Sequence, residues 1–237
     1  MKEFDDDHPS MIYDYLVSFG MYRPSPRSWG TFQEMKNEKI WEKVSALFEK
    51  YSKKWNGPDI PIYIFPINER MSLQENEGNN KSGVSFKDKM FLFVKAYEDE
   101  KELEALFVHE YHHVCRMNKQ KKQLKDYTLL DSMILEGLAE ITVEKYCGKD
   151  YQAPWCNYYT NKEIKNFWNK FLEKEINVIK EEDKHDRLLY GFEPYPKLVG
   201  YAAGYHLVRK LIDSKNFSTK VSFALPSEIF VGKNKNF

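Results

Sequence analysis

The sequence lacks the features that would indicate a nucleic-acid-binding or membrane protein. Its 36 basic and 36 acidic side chains cancel, so no bulk charge favours binding to a phosphate backbone or an anionic bilayer. No apolar run approaches the ~20 residues that a membrane span requires. We therefore expect neither nucleic acid nor a membrane among its partners.

Signals for export and for a disulfide scaffold are missing as well. The first residues are acidic and lack the basic and apolar regions of a secretory signal. Only three cysteines are present, Cys115, Cys147 and Cys156, and an odd number leaves at least one thiol free. A reduced, cytoplasmic protein is therefore predicted.

The residues that are present predict a folded chain of mixed secondary structure. A hydrophobic content of 42% with 16% aromatic residues argues against disorder. Short β-branched and aromatic runs predict strands at Ile60–Phe65 and Met90–Val94, with a polar loop at Asn68–Ser82 between them. The cluster Arg23–Ser28 contains two prolines and is interpreted as a break in secondary structure.

Apolar residues at helical spacing predict several helices. One begins near Asp99–Glu102 and ends in the basic run Lys119–Gln123, and the segment Asp183–Pro196 is predicted as a loop. The other predicted helical segments are Met11–Phe19, Trp41–Trp55, Leu130–Cys147, Tyr158–Lys180 and Leu198–Ile212.

The motif with the clearest chemistry is H-E-x-x-H, formed by His109, Glu110 and His113. On a helix, residues i and i+4 lie about 40° apart, so both imidazoles project to one side. Two such imidazoles can bind Zn²⁺, and Glu110 would border the metal and accept a proton from a water that it activates. The alternative is an amphipathic helix that carries histidines by chance.

A catalytic zinc site needs a third protein ligand, and a second helix offers two carboxylates one turn apart. Glu136 follows His113 by enough residues for the chain to return as an antiparallel helix, and Gly137 beside it would allow close approach. Glu140 could accept the other ring N–H of a ligating histidine. The alternative is a solvated pair of carboxylates.

Together these motifs resemble the gluzincins, of which thermolysin and the aminopeptidase N type are well-known members. In thermolysin-like enzymes the first carboxylate of E-x-x-x-D is the third ligand, and the aspartate supports the first histidine. The resemblance therefore implies that Glu136 is the ligand. Glu140 stands where aspartate is usual.

Three segments carry a closer likeness that spans roughly residues 60 to 230. Val108–Arg116, Ile134–Glu140 and Gly200–Tyr205 resemble a bacterial family of predicted zinc-dependent proteases catalogued as a domain of unknown function. The resemblance implies a zincin-like α+β fold with one zinc ion.

Further side chains are candidates for supporting roles. Arg116 lies on the ligand face of its helix and could clamp a substrate carboxylate or brace Glu136 or Glu140, although a surface role is an equal alternative. The oxyanion and the leaving amine need a donor, and Tyr201, Tyr205 and His206 are the candidates. We favour Tyr201, while packing of both tyrosines beside Gly200 and Gly204 in a core is the alternative.

We thus predict a single zinc metallopeptidase-like domain over residues 1–237. An N-terminal α/β part, about 1–116, would place a small sheet on the active-site helix. A helical part, about 117–237, would face it across a cleft. Met90–Val94 would be an edge strand that binds an extended peptide.

The predicted function is hydrolysis of a peptide or protein substrate, with Glu110 as general base. The alternatives are a non-catalytic, zinc-stabilised peptide-binding module and a metal-dependent amidase that acts on a small molecule. The sequence leaves the cleavage mode, the substrate preference and the oligomeric state open.

Overall fold

The computed structural model describes residues 8–68, 82–96, 99–214 and 218–232 and belongs to the α+β class, as predicted. It is mainly helical and contains a small mixed sheet. The chain forms two compact units that divide between Cys115 and Arg116. The zincin-like arrangement and the single domain with a cleft stay predictions.

The first unit combines helices with a three-stranded sheet. The helices are α1 (Pro9–Ser18), α2 (Pro26–Asn37), α3 (Ile40–Trp55) and α4 (Glu100–Lys119), the last of which continues past the unit boundary. The strands are β1 (Ile62–Pro66), β2 (Ser82–Ser85) and β3 (Met90–Val94). Residues 69–81 of the predicted loop lie outside the described residues.

The strand order is β1-β3-β2, so β3 is the central strand. It runs parallel to β1 and antiparallel to β2, and all five of its residues are buried. Burial on both faces explains its continuous apolar sequence. The prediction of an edge strand at Met90–Val94 is therefore wrong, and because both edges are paired, this strand cannot bind a peptide by strand addition.

The predicted break at Arg23–Ser28 contains the start of α2. Ser25 is the N-cap and forms a capping box with Ser28, and Pro26 occupies the first helical turn. Proline suits this position because its missing N–H would have no partner within the helix. The prolines thus begin a helix here.

A buried carboxylate fastens α4 to α3. Glu104, 7% exposed, accepts hydrogen bonds from Lys50 and Tyr51 on α3 at 2.6 and 2.7 Å, and from Lys101 at 2.6 Å. Burial alone would raise the pKa of Glu104, but these hydrogen bonds outweigh it and lower the pKa to about 2. The helix that carries His109 and His113 is therefore fixed by charge-assisted bonds.

The second unit is helical around one apolar core. Its helices are α5 (Leu129–Cys147), α6 (Asn161–Phe167), α7 (Asp183–Tyr190), α8 (Val199–Ser214) and α9 (Thr219–Ser222). The helix predicted over Tyr158–Lys180 is only partly present, because α6 ends at Phe167 and a π-helical turn, Trp168–Leu172, follows.

The loop predicted at Asp183–Pro196 is wrong for its first half, which forms α7. This helix buries His185, Leu188 and Leu189 and exposes charged residues, a pattern too short to stand out beside Gly191 and the two prolines that follow.

Two glycines allow α5 and α8 to cross with their backbones in contact. A Cβ on Gly137 would stand 2.5 Å from the carbonyl oxygen of Gly204, and a Cβ on Gly204 would overlap the carbonyl oxygen of Met133. The sequence predicted that Gly137 allows a close approach of two helices around a metal; the helix that packs closely on Gly137 is α8. Within the described part of the chain, no helix combines the length and apolar character that crossing a bilayer requires.

Candidate metal centre

The two histidines of the H-E-x-x-H motif lie one turn apart on α4, as predicted. Their ring centroids are 4.5 Å apart, with the planes 81° from parallel. His113 is 7% exposed and His109 is half-buried. The pair can therefore offer two imidazole nitrogens to one ion on the same side of the helix.

These donors fit zinc better than a hard cation. Imidazole nitrogen is a usual ligand of Zn²⁺, whereas Mg²⁺ and Ca²⁺ prefer oxygen donors. Two imidazoles would fill two of the four positions of a tetrahedral zinc ion, which leaves one position for a third protein ligand and one for water. The residues on α4 thus fit the metal that the sequence implies.

Glu110 is buried, and strand β2 holds it in place. The hydroxyl of Ser85 lies 2.6 Å from Oε2 of Glu110 and 2.9 Å from the backbone carbonyl oxygen of the same residue. Glu110 itself is 6% exposed. One carboxylate oxygen of Glu110, the residue that follows His109 in the motif, is thus held by the strand.

Gly83 provides the space that this carboxylate occupies. A Cβ at position 83 would stand 2.6 Å from Cγ and Cδ of Glu110 and 2.7 Å from Oε1. Any side chain there would displace the carboxylate. The strand that contains Gly83 and Ser85 therefore forms one wall of the site within the first unit.

Another histidine of the motif region, His112, is directed to the core. It is fully buried, and its ring packs edge-on against Trp55 of α3, with centroids 6.4 Å apart. This position explains the third histidine of the run as part of the packing between α3 and α4.

The carboxylates predicted to complete the site lie one turn apart on α5, in the second unit. Glu136 is half-buried and Glu140 is 3% exposed. Oε2 of Glu140 accepts a hydrogen bond from the backbone N–H of Ala153 at 2.7 Å and a weaker one from the Cys156 thiol at 3.8 Å. Burial, and then the charge of Glu140, raise the pKa of Cys156 far above its ordinary value. The thiol therefore stays protonated and can donate.

Arg116 begins the second unit and is enclosed. It is 1% exposed and donates to the carbonyl oxygen of Ser222 at 2.7 Å and to the hydroxyl of Ser227 at 3.2 Å. Ser227 in turn donates to Asp131 at 2.7 Å. A guanidinium this enclosed has no surface for a substrate carboxylate, so the predicted clamp finds no support, and these bonds indicate a structural role.

The predicted proton donors on α8 differ in their surroundings. The hydroxyl of Tyr205 bonds with Gln152 at 3.3 Å and accepts from Arg209 at 2.7 Å, and burial raises its pKa. Tyr201 packs against the rings of Trp155 and Tyr190. Tyr205 is thus engaged in a polar network.

The third candidate on α8, His206, is half-buried. Burial lowers its pKa, and a backbone hydrogen bond with Tyr159 offsets part of that effect. A lowered pKa favours a neutral imidazole near neutral pH.

Sequence reasoning missed Ser85 and Gly83. Both lie on a four-residue strand that has a glycine in its interior and follows a polar segment. A glycine within a strand can indicate close approach of another group. This strand contains only one β-branched residue, Val84, so the residue pattern alone did not predict it.

Comparison with known proteins assigns the chain to a family. A family described as a predicted Zn-dependent protease (DUF2268) matches residues 40–232. The uncharacterized protein YjaZ of Bacillus subtilis (strain 168) is 34% identical over 220 residues, 93% of this chain and 84% of that protein. The chain belongs to this family.

A second relative is more distant. The uncharacterized protein YjfC of the same organism is 20% identical over 139 residues, 54% of this chain and 46% of that protein. No solved structure matches the chain. The description of the family implies dependence on zinc, in agreement with the imidazole pair on α4.

Proposed function

We propose that this family member is a zinc-dependent peptidase in which His109, His113 and Glu136 bind one zinc ion. Each of the three offers one ligand atom, an imidazole nitrogen from either histidine and a carboxylate oxygen from Glu136. Two imidazoles and one carboxylate are a known ligand set of catalytic zinc. The description of the family supports the same metal.

The observation that carries the proposal is that Glu110, which follows His109 in the motif, is buried and has one carboxylate oxygen held by Ser85. A purely structural metal site needs no general base, and it usually has four protein ligands. Zinc bound at this site would lower the pKa of a water molecule toward ~7 and polarise the carbonyl of the substrate.

The role of Glu110 follows from its position. Its carboxylate accepts the proton of the attacking water as the new C–O bond forms. It then transfers that proton to the leaving nitrogen as the C–N bond breaks. Tyr201 is our candidate donor to the oxyanion, as the sequence predicts. The substrate is a peptide or protein.

Substitution Glu110→Gln tests the mechanism. We expect the variant to keep as much zinc as the wild type and to lose turnover by at least ~100-fold, the lower range of a general base. Metal analysis and hydrolysis of a mixed peptide library, with and without a removable chelator, measure both quantities. Glu102→Gln on the first turn of α4 controls for the same chemical change on the same helix.

The possible results separate the candidate functions. His113→Ala should lose zinc and activity together, because two remaining ligands hold the metal weakly. Wild-type activity in Glu110→Gln would disprove the mechanism. Zinc binding without any turnover would favour a peptide-binding module, and cleavage of small amides alone would favour an amidase.

We also propose that the protein is cytoplasmic. The three cysteines are buried and form no disulfide, which suits a reducing compartment. Cell fractionation tests this location, and recovery of most of the native protein from membranes or from the medium would contradict it.

A further inference from the structure

Strand β2 makes two contacts with Glu110 that have different consequences. Ser85 reaches the carboxylate through its hydroxyl, at 2.6 Å from Oε2. Gly83 lies under the same carboxylate and leaves space for Cγ, Cδ and Oε1. The strand therefore bonds one carboxylate oxygen and leaves room for the other.

The hydrogen of a serine hydroxyl can be donated to one strong acceptor at a time. Oε2 is the closer acceptor, and an ionised carboxylate makes a shorter and stronger bond than a carbonyl oxygen, which here lies 2.9 Å away. The bond restricts rotation of the carboxylate about its terminal torsion, a torsion that is otherwise broad. Oε1 then keeps one orientation.

We propose that Ser85 is a positioning residue for Glu110: its hydroxyl holds Oε2 and thereby presents Oε1 to the water that loses its proton. This inference rests on the proposed function. Ser85 acts through Glu110 and has no contact with substrate in this role. Correct orientation of a general base lowers the barrier to proton transfer without changing the affinity for zinc or substrate.

The kinetic test compares three serine variants. Ser85→Ala should lower kcat by about 10-fold or more, the size seen when a supporting hydrogen bond is removed, with KM and zinc content unchanged. Ser85→Thr keeps the hydroxyl and should recover most of kcat. Ser82→Ala is the matched control, because its hydroxyl lies on the same strand but donates to the carbonyl oxygen of Phe19 at 2.6 Å.

A second measurement does not depend on activity. Unfolding of the metal-free protein is compared for the wild type, Ser85→Ala, Glu110→Ala and the double variant. The backbone carbonyl of residue 110 remains in all four proteins, so the cycle isolates the bond between the two side chains. We expect the effects on the unfolding equilibrium constant to be non-additive by about 10-fold, as for a hydrogen bond to a charged group.

Each outcome decides between the two proposals. Unchanged kcat in Ser85→Ala, an equal loss in Ser85→Thr, or additive effects in the cycle would overturn the role of Ser85. Non-additive effects in a wild-type protein that shows no turnover would overturn the proposed peptidase function and leave the pairing of Ser85 with Glu110 supported.

Discussion

Gly83 in the first unit and Gly204 in the second both stand where a Cβ would collide with a neighbour, but the neighbours differ. At Gly83 the neighbour is the end of the Glu110 side chain. At Gly204 it is the backbone of Met133 on a packed helix. A side-chain terminus can rotate away, whereas a helix backbone moves only as a body.

This difference separates a cost in function from a cost in stability. A Cβ at position 83 would move a chemical group and leave the fold almost intact. A Cβ at position 204 would force α5 and α8 apart and disturb the core that they form. The first unit thus uses the missing side chain for its site, and the second uses it for packing.

The largest expected effect is that of Gly204→Ala on folding. Alanine gains up to ~1 kcal/mol of helix propensity over glycine, but separating α5 from α8 should cost about 3 kcal/mol or more. Chemical unfolding of the full chain measures the net loss. Gly30→Ala in α2 is the control, because nothing lies within 4 Å of the added Cβ, and it should be neutral or stabilising. Equal effects at both positions would refute the packing argument.

Gly83→Ala should reduce activity much more than stability. We expect its free energy of unfolding to fall by only about 1–2 kcal/mol, the size of the hydrogen bond to Ser85 that the displaced Glu110 carboxylate would lose. Activity should fall by about 100-fold, since a displacement of ~1 Å at a catalytic group has this effect. Parallel unfolding and turnover assays measure the two. Retention of full activity would show that the carboxylate over Gly83 is not the reacting group.

A third prediction concerns acid and the carboxylate of Glu104. Its folded pKa of about 2 lies below the ordinary 4.5, so its contribution to stability is present above pH 4.5 and is lost as the pH falls toward 2. The difference corresponds to roughly 3 kcal/mol, and solvent screening of the partly exposed lysines reduces it to about 2 kcal/mol.

The wild type should therefore lose about 2 kcal/mol more stability than Glu104→Gln between pH 5 and pH 2. Denaturant unfolding of both proteins at each pH measures this difference. Glu49→Gln is the control, because Glu49 forms an exposed pair with Lys53, and it should match the wild type. If the free energy of unfolding changed with pH in the same way for Glu104→Gln and the wild type, Glu104 would not be the group that links α3 to α4.

The elements that sequence predicted best are those with a long periodic pattern. The stripe of Trp41–Trp55 and the segment Leu130–Cys147 each form a helix within one residue of the predicted bounds. Short elements were missed because their stability comes from tertiary contacts: β2 has four residues and depends on β3, and α7 depends on its buried face.

The candidate site follows the same division. His109, Glu110 and His113 could be predicted, because their spacing on one helix is enough to bring them together. Ser85 and Gly83 could not, since their role depends on the pairing that brings β2 alongside β3 and over Glu110. A central position for Met90–Val94 likewise needs β2, which the sequence does not reveal.

The crossing of α5 and α8 also restricts how this sequence can diverge. Gly137 and Gly204 face each other, and each already carries the smallest possible side chain. A larger residue on one helix therefore cannot be compensated by a smaller residue on the other. A substitution at either glycine cannot be compensated by a change at the other. The two glycines can therefore change only in relatives in which α5 and α8 no longer cross this closely.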